Sequence, residues 1–119
     1  MRLLIWILIS ASVTATVYNA VPEQCGDNPT ITASGRVIEP EKVQESRILA
    51  MERTMMERHG IHWGDTVLVK GAGVYDGEWV VEDTMHPRWA GQDRVDFLVP
   101  ESVKLGRWEG VKVYRRAER

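Results

Sequence analysis

The chain contains almost no cysteine, and this absence excludes several kinds of site. Cys25 is the only cysteine among the 119 residues, so no intrachain disulfide can form. No cysteine directly follows the apolar N-terminal run, which argues against a bacterial lipid anchor. His59 and His62 lie three residues apart, but Gly60 between them indicates a helix end, and no carboxylate or cysteine partner is spaced nearby. We therefore predict no metal site and no cofactor.

An excess of charge of one sign is also missing. The formal net charge is −2, and the charged and hydrophobic fractions of 27% and 44% are those of an ordinary globular domain. No stripe of lysine and arginine occurs, although the ending YRRAER is locally basic. No overall field favours a polyanion, and we predict no nucleic-acid partner. The length suits one domain with one core, which we expect to be a monomer.

Long apolar runs are absent apart from one at the N terminus. This run, LLIWILISA, follows Arg2, is too short to span a bilayer comfortably and has the length of the apolar region of an export signal. Small residues near its end offer cleavage sites, of which we favour the one after Ala11. We predict a signal peptide over residues 1–11, export to the periplasm, cell envelope or exterior, and no stable membrane insertion after cleavage. A buried N-terminal strand is the alternative.

Strand-like segments separated by turn residues make up most of the remaining chain. Residues 48–59 are ambiguous, because they fit either an amphipathic helix or a short buried strand followed by a helix. Asp76 and Gly77 form a tight-turn signal, and Pro100 opens a helical turn that Gly106 ends. We predict a mainly β fold, a small barrel of six or seven short strands with one or two short helices. The predicted strands are SVTATVYNAV, TITASG, TVLVKGAG, EWVVEDT, RVDFLV and GVKVYR.

The segment VVEDTMHPRWAGQDRVDFLV is the most informative part of the chain. Asp83 leaves one strand-like run, and Asp96 lies inside the next. Strands hold the loop between them rigidly, so both carboxylates can be aimed at one point. Two such acids can transfer a proton to a glycosidic oxygen. The competing interpretation is that Asp83 caps a turn and that Asp96 pairs with Arg94 or Arg88.

The order of several short motifs resembles that of the three-aspartate (3D) domain. The matching segments are ATVYNA, TASG, ILAME, HWGDTVLV, EDT followed by DRVDFLV, and LGRWEGVKVY, and the resemblance covers nearly all of residues 13–115. That domain belongs with the double-psi β-barrels of rare lipoprotein A and of the membrane-bound lytic transglycosylase A group. The resemblance implies a double-psi β-barrel over residues 12–119. It also implies a strand at residues 47–51, followed by a helix at 53–59.

The resemblance further implies three acidic positions and a glycan-facing loop. Asp83 takes the place of the aspartate in the family's DTG motif, and Asp96 that of the aspartate in its R-I-D motif. At the position of the first family aspartate this chain has Glu52, a carboxylate on a longer arm. These three acids are the candidate catalytic residues. The candidate substrate-binding residues of the intact TASG loop are Thr32, Ser34 and Gly35.

One departure from the family pattern lies beside Asp83. The family has two glycines after the threonine of its DTG motif, where this chain has Met85 and His86. Bulkier side chains let a sugar approach the backbone less closely, so we expect a narrowed or altered groove. His86 is a candidate second proton carrier at the substrate, with a solvated loop histidine as the alternative.

Aromatic side chains supply the flat platforms that sugar binding needs. Trp89, in the loop between the two aspartates, is the best candidate platform. Tyr18, in the opening strand, either lines the groove or is a buried tyrosine with a satisfied hydroxyl. Trp63 and Trp79 flank the predicted hairpin, and we expect both in the core.

The resemblance implies cleavage of peptidoglycan glycan strands without water. In lytic transglycosylases the sugar's own hydroxyl attacks the anomeric carbon, so one carboxyl group serves first as acid and then as base. That group must be protonated, which requires apolar surroundings or a neighbouring carboxylate. Asp96, in the apolar context RVDFLV, is then the general acid/base, and Asp83 is its electrostatic partner. A salt bridge to Arg94 that keeps Asp96 ionised is the opposing interpretation.

We therefore predict an exported protein that resembles lytic transglycosylases and cleaves or remodels peptidoglycan glycan strands. The first alternative is a non-catalytic polysaccharide-binding barrel, since related barrels in plant expansins bind wall polysaccharide without net hydrolysis. The second is a scaffold that docks another envelope protein.

Overall fold

Six strands provide the regular framework of the described residues, 3–20, 30–103 and 105–118 of this computed structural model. They are β1 (Leu4–Tyr18), β2 (Ile48–Met51), β3 (Thr66–Lys70), β4 (Gly77–Thr84), β5 (Arg94–Leu98) and β6 (Arg107–Glu118). Two short α-helices accompany them, α1 (Val43–Ser46) and α2 (Arg53–His59). Cys25 and the loop predicted around it lie outside the described residues.

The strands close into a barrel in the order β1-β5-β2-β4-β3-β6. β1 pairs with β5 and β2 pairs with β4 in parallel, whereas the other four neighbouring pairs are antiparallel. The predicted mainly β class, a small barrel with two short helices, is confirmed. Closure leaves each strand with two partners, which removes most of the unpaired edge that an open sheet exposes.

Alternating residues of the strands fill the barrel interior. Val95 and Phe97 of β5 point inward and are fully buried, as are Ala15 of β1 and Leu49 of β2. Trp79 packs on Phe97 with ring centroids 4.6 Å apart, as predicted for a core tryptophan. Burial of each such large side chain contributes about 1.5–3 kcal/mol, so this interior is the main source of stability.

A second apolar cluster covers part of the outside of the barrel. It forms where the connection from residue 30 to residue 46 folds back over β2 and β5. Because this connection shields only one part of the barrel wall, the outward-facing side chains beneath it are partly withdrawn from water. The members of the outer cluster are Tyr18, Ile38, Val43, Ile48, Ala50, Met85 and Leu98.

The ambiguous segment 48–59 divides into a strand and a helix. β2 ends at Met51, Glu52 caps α2, and the helix stops at Gly60, whose φ of 63° is the left-handed conformation that glycine adopts at low cost. The strand at 48–51 and the helix at 53–59 are therefore confirmed, whereas Arg47 lies before the strand.

Two other segments have less regular secondary structure than the sequence predicted. TITASG forms only a single bridge, between Ile31 and Val37, and the described residues after Pro100 form a turn rather than a helix.

The N-terminal run extends β1 beyond the wall of the barrel. Leu4 to Ser10 pair with the end of β6, whereas β5 pairs only with Thr14 to Tyr18. Leu4 and Leu8 remain 53% and 47% exposed. The segment is thus a strand, as the alternative interpretation held, but several of its large apolar side chains are not buried. The export signal stays a prediction.

Within the described ranges, no helix is long and apolar enough to cross a membrane. The same residues contain no cluster of three or more histidine, cysteine, aspartate or glutamate side chains that could hold a metal ion.

Candidate active site

Asp83 and Asp96 lie in one row of side chains that crosses four strands on the outer face of the barrel. Ala50 of β2 pairs with Asp83 of β4 on one side and with Asp96 of β5 on the other. Asp96 pairs in turn with Thr16 of β1. Directly opposed residues in a sheet point to the same face, so the row reads Thr16, Asp96, Ala50, Asp83. The small side chain of Ala50 leaves room between the two acids.

A β-bulge in β4 gives Asp83 its outward direction. Leu49 pairs with Val81, but the next residue of β2, Ala50, pairs with Asp83, so Glu82 is an extra residue. Trp79 and Val81 face the interior, and strict alternation would point Asp83 inward as well. The extra residue reverses the alternation and turns the Asp83 carboxylate to the outer face, beside that of Asp96.

Asp96 is a partly buried acid whose second oxygen is unengaged. Its Oδ1 accepts a hydrogen bond from the Thr16 hydroxyl, and in the described part of the chain Oδ2 accepts none. Burial raises the pKa of Asp96, the Thr16 hydroxyl and the guanidinium groups of Arg94 and Arg88 oppose this, and the charge of Asp83 adds to the increase. The net effect is a raised pKa, which favours the protonated form.

Asp83 is held by three hydrogen bonds. Its Oδ1 accepts from the backbone N–H groups of Ala33 and Thr84, at 3.1 and 3.2 Å, and its Oδ2 accepts from the Tyr18 hydroxyl at 3.1 Å. Burial raises its pKa, and the three donors act against that increase. Because the donors stabilise the charged form and fix the carboxyl group, Asp83 is the better placed of the two acids to act through its charge.

The loop TASG lies beside the acid pair, on the side of Asp83. Ser34 N–H donates to the Glu82 carbonyl at 3.0 Å, so the loop is attached to β4 at the bulge itself. Thr32 is buried, and its hydroxyl lies 2.7 Å from that of Ser34. Gly35 completes the turn with a φ of 92° and has open space where a Cβ would stand. Through Ala33 N–H, which donates to Asp83, the loop also contacts one of the two acids directly.

Trp89 lies next to the acids, but arginine covers it. The Arg94 guanidinium carbon is 3.7 Å from the centroid of the indole, and that of Arg88 is 5.1 Å away. The ring also packs against the outer cluster. The face that Arg94 covers cannot stack on a sugar, so the ring positions Arg94 beside Asp96 rather than offering an open platform on that face.

Met85 and His86 shape the loop without filling the groove. The side chain of Met85 is buried in the outer cluster, so it fills space beneath the site rather than narrowing it from above. His86 is exposed, and its Nδ1 accepts a hydrogen bond from Arg88 N–H at 3.0 Å. This contact caps the short 3₁₀ helix at Pro87–Trp89.

Glu52 is engaged at the start of α2 rather than with the other two acids. Its carboxylate accepts hydrogen bonds from Thr54 N–H, the Thr54 hydroxyl and Met55 N–H, at 2.6, 2.5 and 3.0 Å. Arg58 lies 3.8 Å away. Burial acts to raise the pKa of Glu52, but these donors lower it below its usual value. A fully buried, ionised helix cap has no proton to give.

Sequence reasoning missed Thr16 and Ala50, which complete the row. Both lie in segments predicted as strands, but their neighbours across the sheet depend on the order of strands and the pairing register. Alternation alone correctly assigns Asp96 to the face opposite Val95 and Phe97.

Comparison of the chain with protein-family models, with curated proteins and with solved structures finds no match to any of the three. The geometry of the acid pair therefore supplies the functional argument.

Proposed function

We propose that the protein cleaves peptidoglycan glycan strands in the manner of a lytic transglycosylase. The observation that carries the proposal is the pair of outward-facing, partly buried carboxyl groups of Asp83 and Asp96, both with raised pKa values, on either side of Ala50. Pairs of acids whose environments differ are the usual equipment for proton transfer to a glycosidic oxygen.

Asp96 is the general acid and then the general base. Its protonated carboxyl group donates the proton to the glycosidic oxygen as the bond from that oxygen to the anomeric carbon breaks. A hydroxyl of the same sugar forms a new bond to that carbon and returns its proton to the Asp96 carboxylate. No water is consumed, and the product has an anhydro end. Asp83, fixed by its three donors, stabilises the positive charge that develops on the sugar.

Digestion of purified peptidoglycan, with the products read by mass spectrometry, tests this proposal. We expect anhydro-ended fragments from the unaltered protein and a loss of about 10²–10⁴-fold in rate for Asp96→Asn. Asp93→Asn is the matched control, because Asp93 pairs with Arg58 at 2.7 Å and lies outside the acid row. Equal rates for Asp96→Asn and the unaltered protein would remove Asp96 from the reaction.

A non-catalytic glycan-binding barrel is the second candidate, and the position of Glu52 favours it. With that carboxylate used as a helix cap, only two of the three acids that the resemblance implies are available to a substrate. This candidate predicts that insoluble peptidoglycan retains the protein without releasing fragments. Retention unchanged by Asp96→Asn, together with no anhydro-ended product, would favour it over the enzyme.

Export is part of the proposal. Several large apolar side chains near the N terminus gain little from the fold, since Leu4 and Leu8 are about half exposed. Recognition by an export machinery gives them a role that packing does not. Fractionation of cells that produce the C-terminally tagged chain should place a shortened protein outside the cytoplasm. A full-length product confined to the cytoplasm would contradict export.

A further inference from the structure

A groove of about 520 Å³ lies between α2 and the TASG loop, next to Asp83. Ala33 and Thr84 line it on one side. The backbone N–H groups of these two residues donate to Oδ1 of Asp83, so the groove adjoins the residues that hold one of the two acids. The volume is within the range of pockets that take small ligands.

Trp63 lies in this groove and is 43% exposed. The sequence predicted it in the core beside Trp79, and that prediction is wrong for Trp63. Among the described residues its ring makes no aromatic or cation–π contact, unlike Trp89, which Arg94 covers. An indole left open in a concave site offers a flat apolar surface with a polar N–H at its edge.

Three polar side chains of the groove also lack a partner among the described residues. Arg53, Glu57 and His62 line it, and their side chains make no hydrogen bond or ion pair with other described residues. The guanidinium of Arg53 and the carboxylate of Glu57 have opposite charges, so the groove has no strong preference for an anion or a cation. Donors and acceptors around an open aromatic ring suit the hydroxyl and amide groups of an uncharged sugar.

We propose that this groove is a glycan subsite in which Trp63 stacks against one pyranose ring of a peptidoglycan strand. Neighbouring sugar units of the same glycan strand then reach Asp83 and Asp96. The subsite rests on the proposed function, and it specifies where the bound glycan strand continues beyond the acid pair. The groove's position directly behind Ala33 and Thr84 makes bound sugar adjacent to the carboxyl group that those residues fix.

Binding of chitohexaose, a soluble β-1,4-linked hexamer of N-acetylglucosamine, tests the subsite without requiring cleavage. Isothermal titration with the full chain should give a Kd that Trp63→Ala weakens by about tenfold and that Trp63→Phe largely restores, because the aromatic face is what the sugar contacts. Trp6→Ala is the matched control, since Trp6 lies at the far end of β1 beneath Arg116. Thermal melting of each variant verifies that it is folded.

The outcomes separate the subsite from the cleavage mechanism. Equal Kd values for Trp63→Ala and the unaltered protein would overturn the subsite even if Asp96-dependent cleavage is observed. No measurable binding of chitohexaose to the unaltered protein would also overturn it. Loss of binding in Trp63→Ala without any anhydro-ended product from peptidoglycan would support the subsite and assign the barrel to the binding candidate.

Discussion

Asp96 illustrates how one residue can oppose stability and serve chemistry. Its pKa is raised because burial and the charge of Asp83 outweigh the Thr16 hydroxyl and the nearby arginines. The folded protein therefore holds the Asp96 proton more tightly than the unfolded chain does. Between the ordinary aspartate pKa and the raised value, stability falls as pH rises, and the penalty is complete above the raised value.

We therefore expect Asp96→Asn to become more stable relative to the unaltered protein as pH rises. The asparagine cannot ionise, so it avoids the cost of the buried charge, while Asp83 contributes a similar background to both proteins. Melting temperatures measured from about pH 3 to about pH 8 test this expectation. A difference between the two proteins that stays constant over that range would mean that the pKa of Asp96 is not raised by folding.

Glu52 is expected to stabilise the fold rather than to act on substrate. Replacement by alanine removes the acceptor for Thr54 N–H and Met55 N–H at the start of α2, which should cost about 1–2 kcal/mol. In a small domain this corresponds to a fall in Tm of roughly 4–16 °C. Glu52→Gln, which keeps an oxygen acceptor, should lose less.

Kinetics distinguish this role of Glu52 from a catalytic one. The glycan-cleavage rate of folded Glu52→Gln, measured well below its Tm, should match that of the unaltered protein. A loss comparable to that of Asp96→Asn, with Tm unchanged, would return Glu52 to the reacting groups.

These residues also show what could be predicted before the structure. The alternation Val95, Asp96, Phe97 is visible in the sequence, and it correctly separates one acid from the core. Glu52 was assigned to the acidic set by its position in the family pattern. Its role as a helix cap depends on hydrogen bonds to Thr54 and Met55 that form only once the helix is in place. The sequence ranked Trp89 above Trp63 as a platform, and the structure reverses that order, because exposure depends on which arginine or strand covers each ring.

At the scale of elements, the bulge in β4 was the feature that the sequence could not predict. A period of two in GEWVVEDT assigns Trp79, Val81 and Asp83 to one face, yet the structure puts Asp83 on the other. The extra residue is tolerated because Glu82 pairs with Arg36 at 3.5 Å and its carbonyl accepts Ser34 N–H. The attachment of the TASG loop thus stabilises the irregularity that aims Asp83.

Deletion of Glu82 should be better tolerated than deletion of Val80. Without Glu82, Asp83 follows Val81 directly and still faces outward opposite Ala50, so the interior is preserved. Deletion of Val80 instead moves Trp79 to the outer face, and loss of a buried tryptophan typically costs about 3–5 kcal/mol. Chemical denaturation of both variants makes the comparison. If the two deletions were equally destabilising, Glu82 would not be the extra residue of the bulge.

At the scale of the whole molecule, the barrel does not depend equally on all of β1. Val13 and Ala15 are fully buried, and Thr14 to Tyr18 make all of the pairing with β5. The first part of β1 pairs only with β6, with large side chains exposed. The part of β1 that closes the barrel lies after residue 11, and so do Thr16, which belongs to the row, and Tyr18, which donates to Asp83.

Removal of residues 1–11 should therefore leave a folded, active barrel. Removal takes away the pairing of residues 4–10 with the end of β6 and the contact of Trp6 with Arg116, both outside the part of β1 that pairs with β5. It also takes away the partial packing of Ile9 on the interior and the 2.5 Å hydrogen bond from the Ser10 hydroxyl to Asp93, which keeps its ion pair with Arg58. Partial burial of one isoleucine and one exchanged hydrogen bond together amount to about 1–3 kcal/mol. Calorimetry of residues 12–119 beside the full chain should show a single cooperative transition at a moderately lower Tm.

Peptidoglycan digestion by the shortened chain should give the same anhydro-ended products as the full chain. If the shortened chain failed to fold, the N-terminal segment would be a structural strand of the working protein. It could not then be a signal peptide, because the barrel must stay folded after a signal peptide is cleaved off.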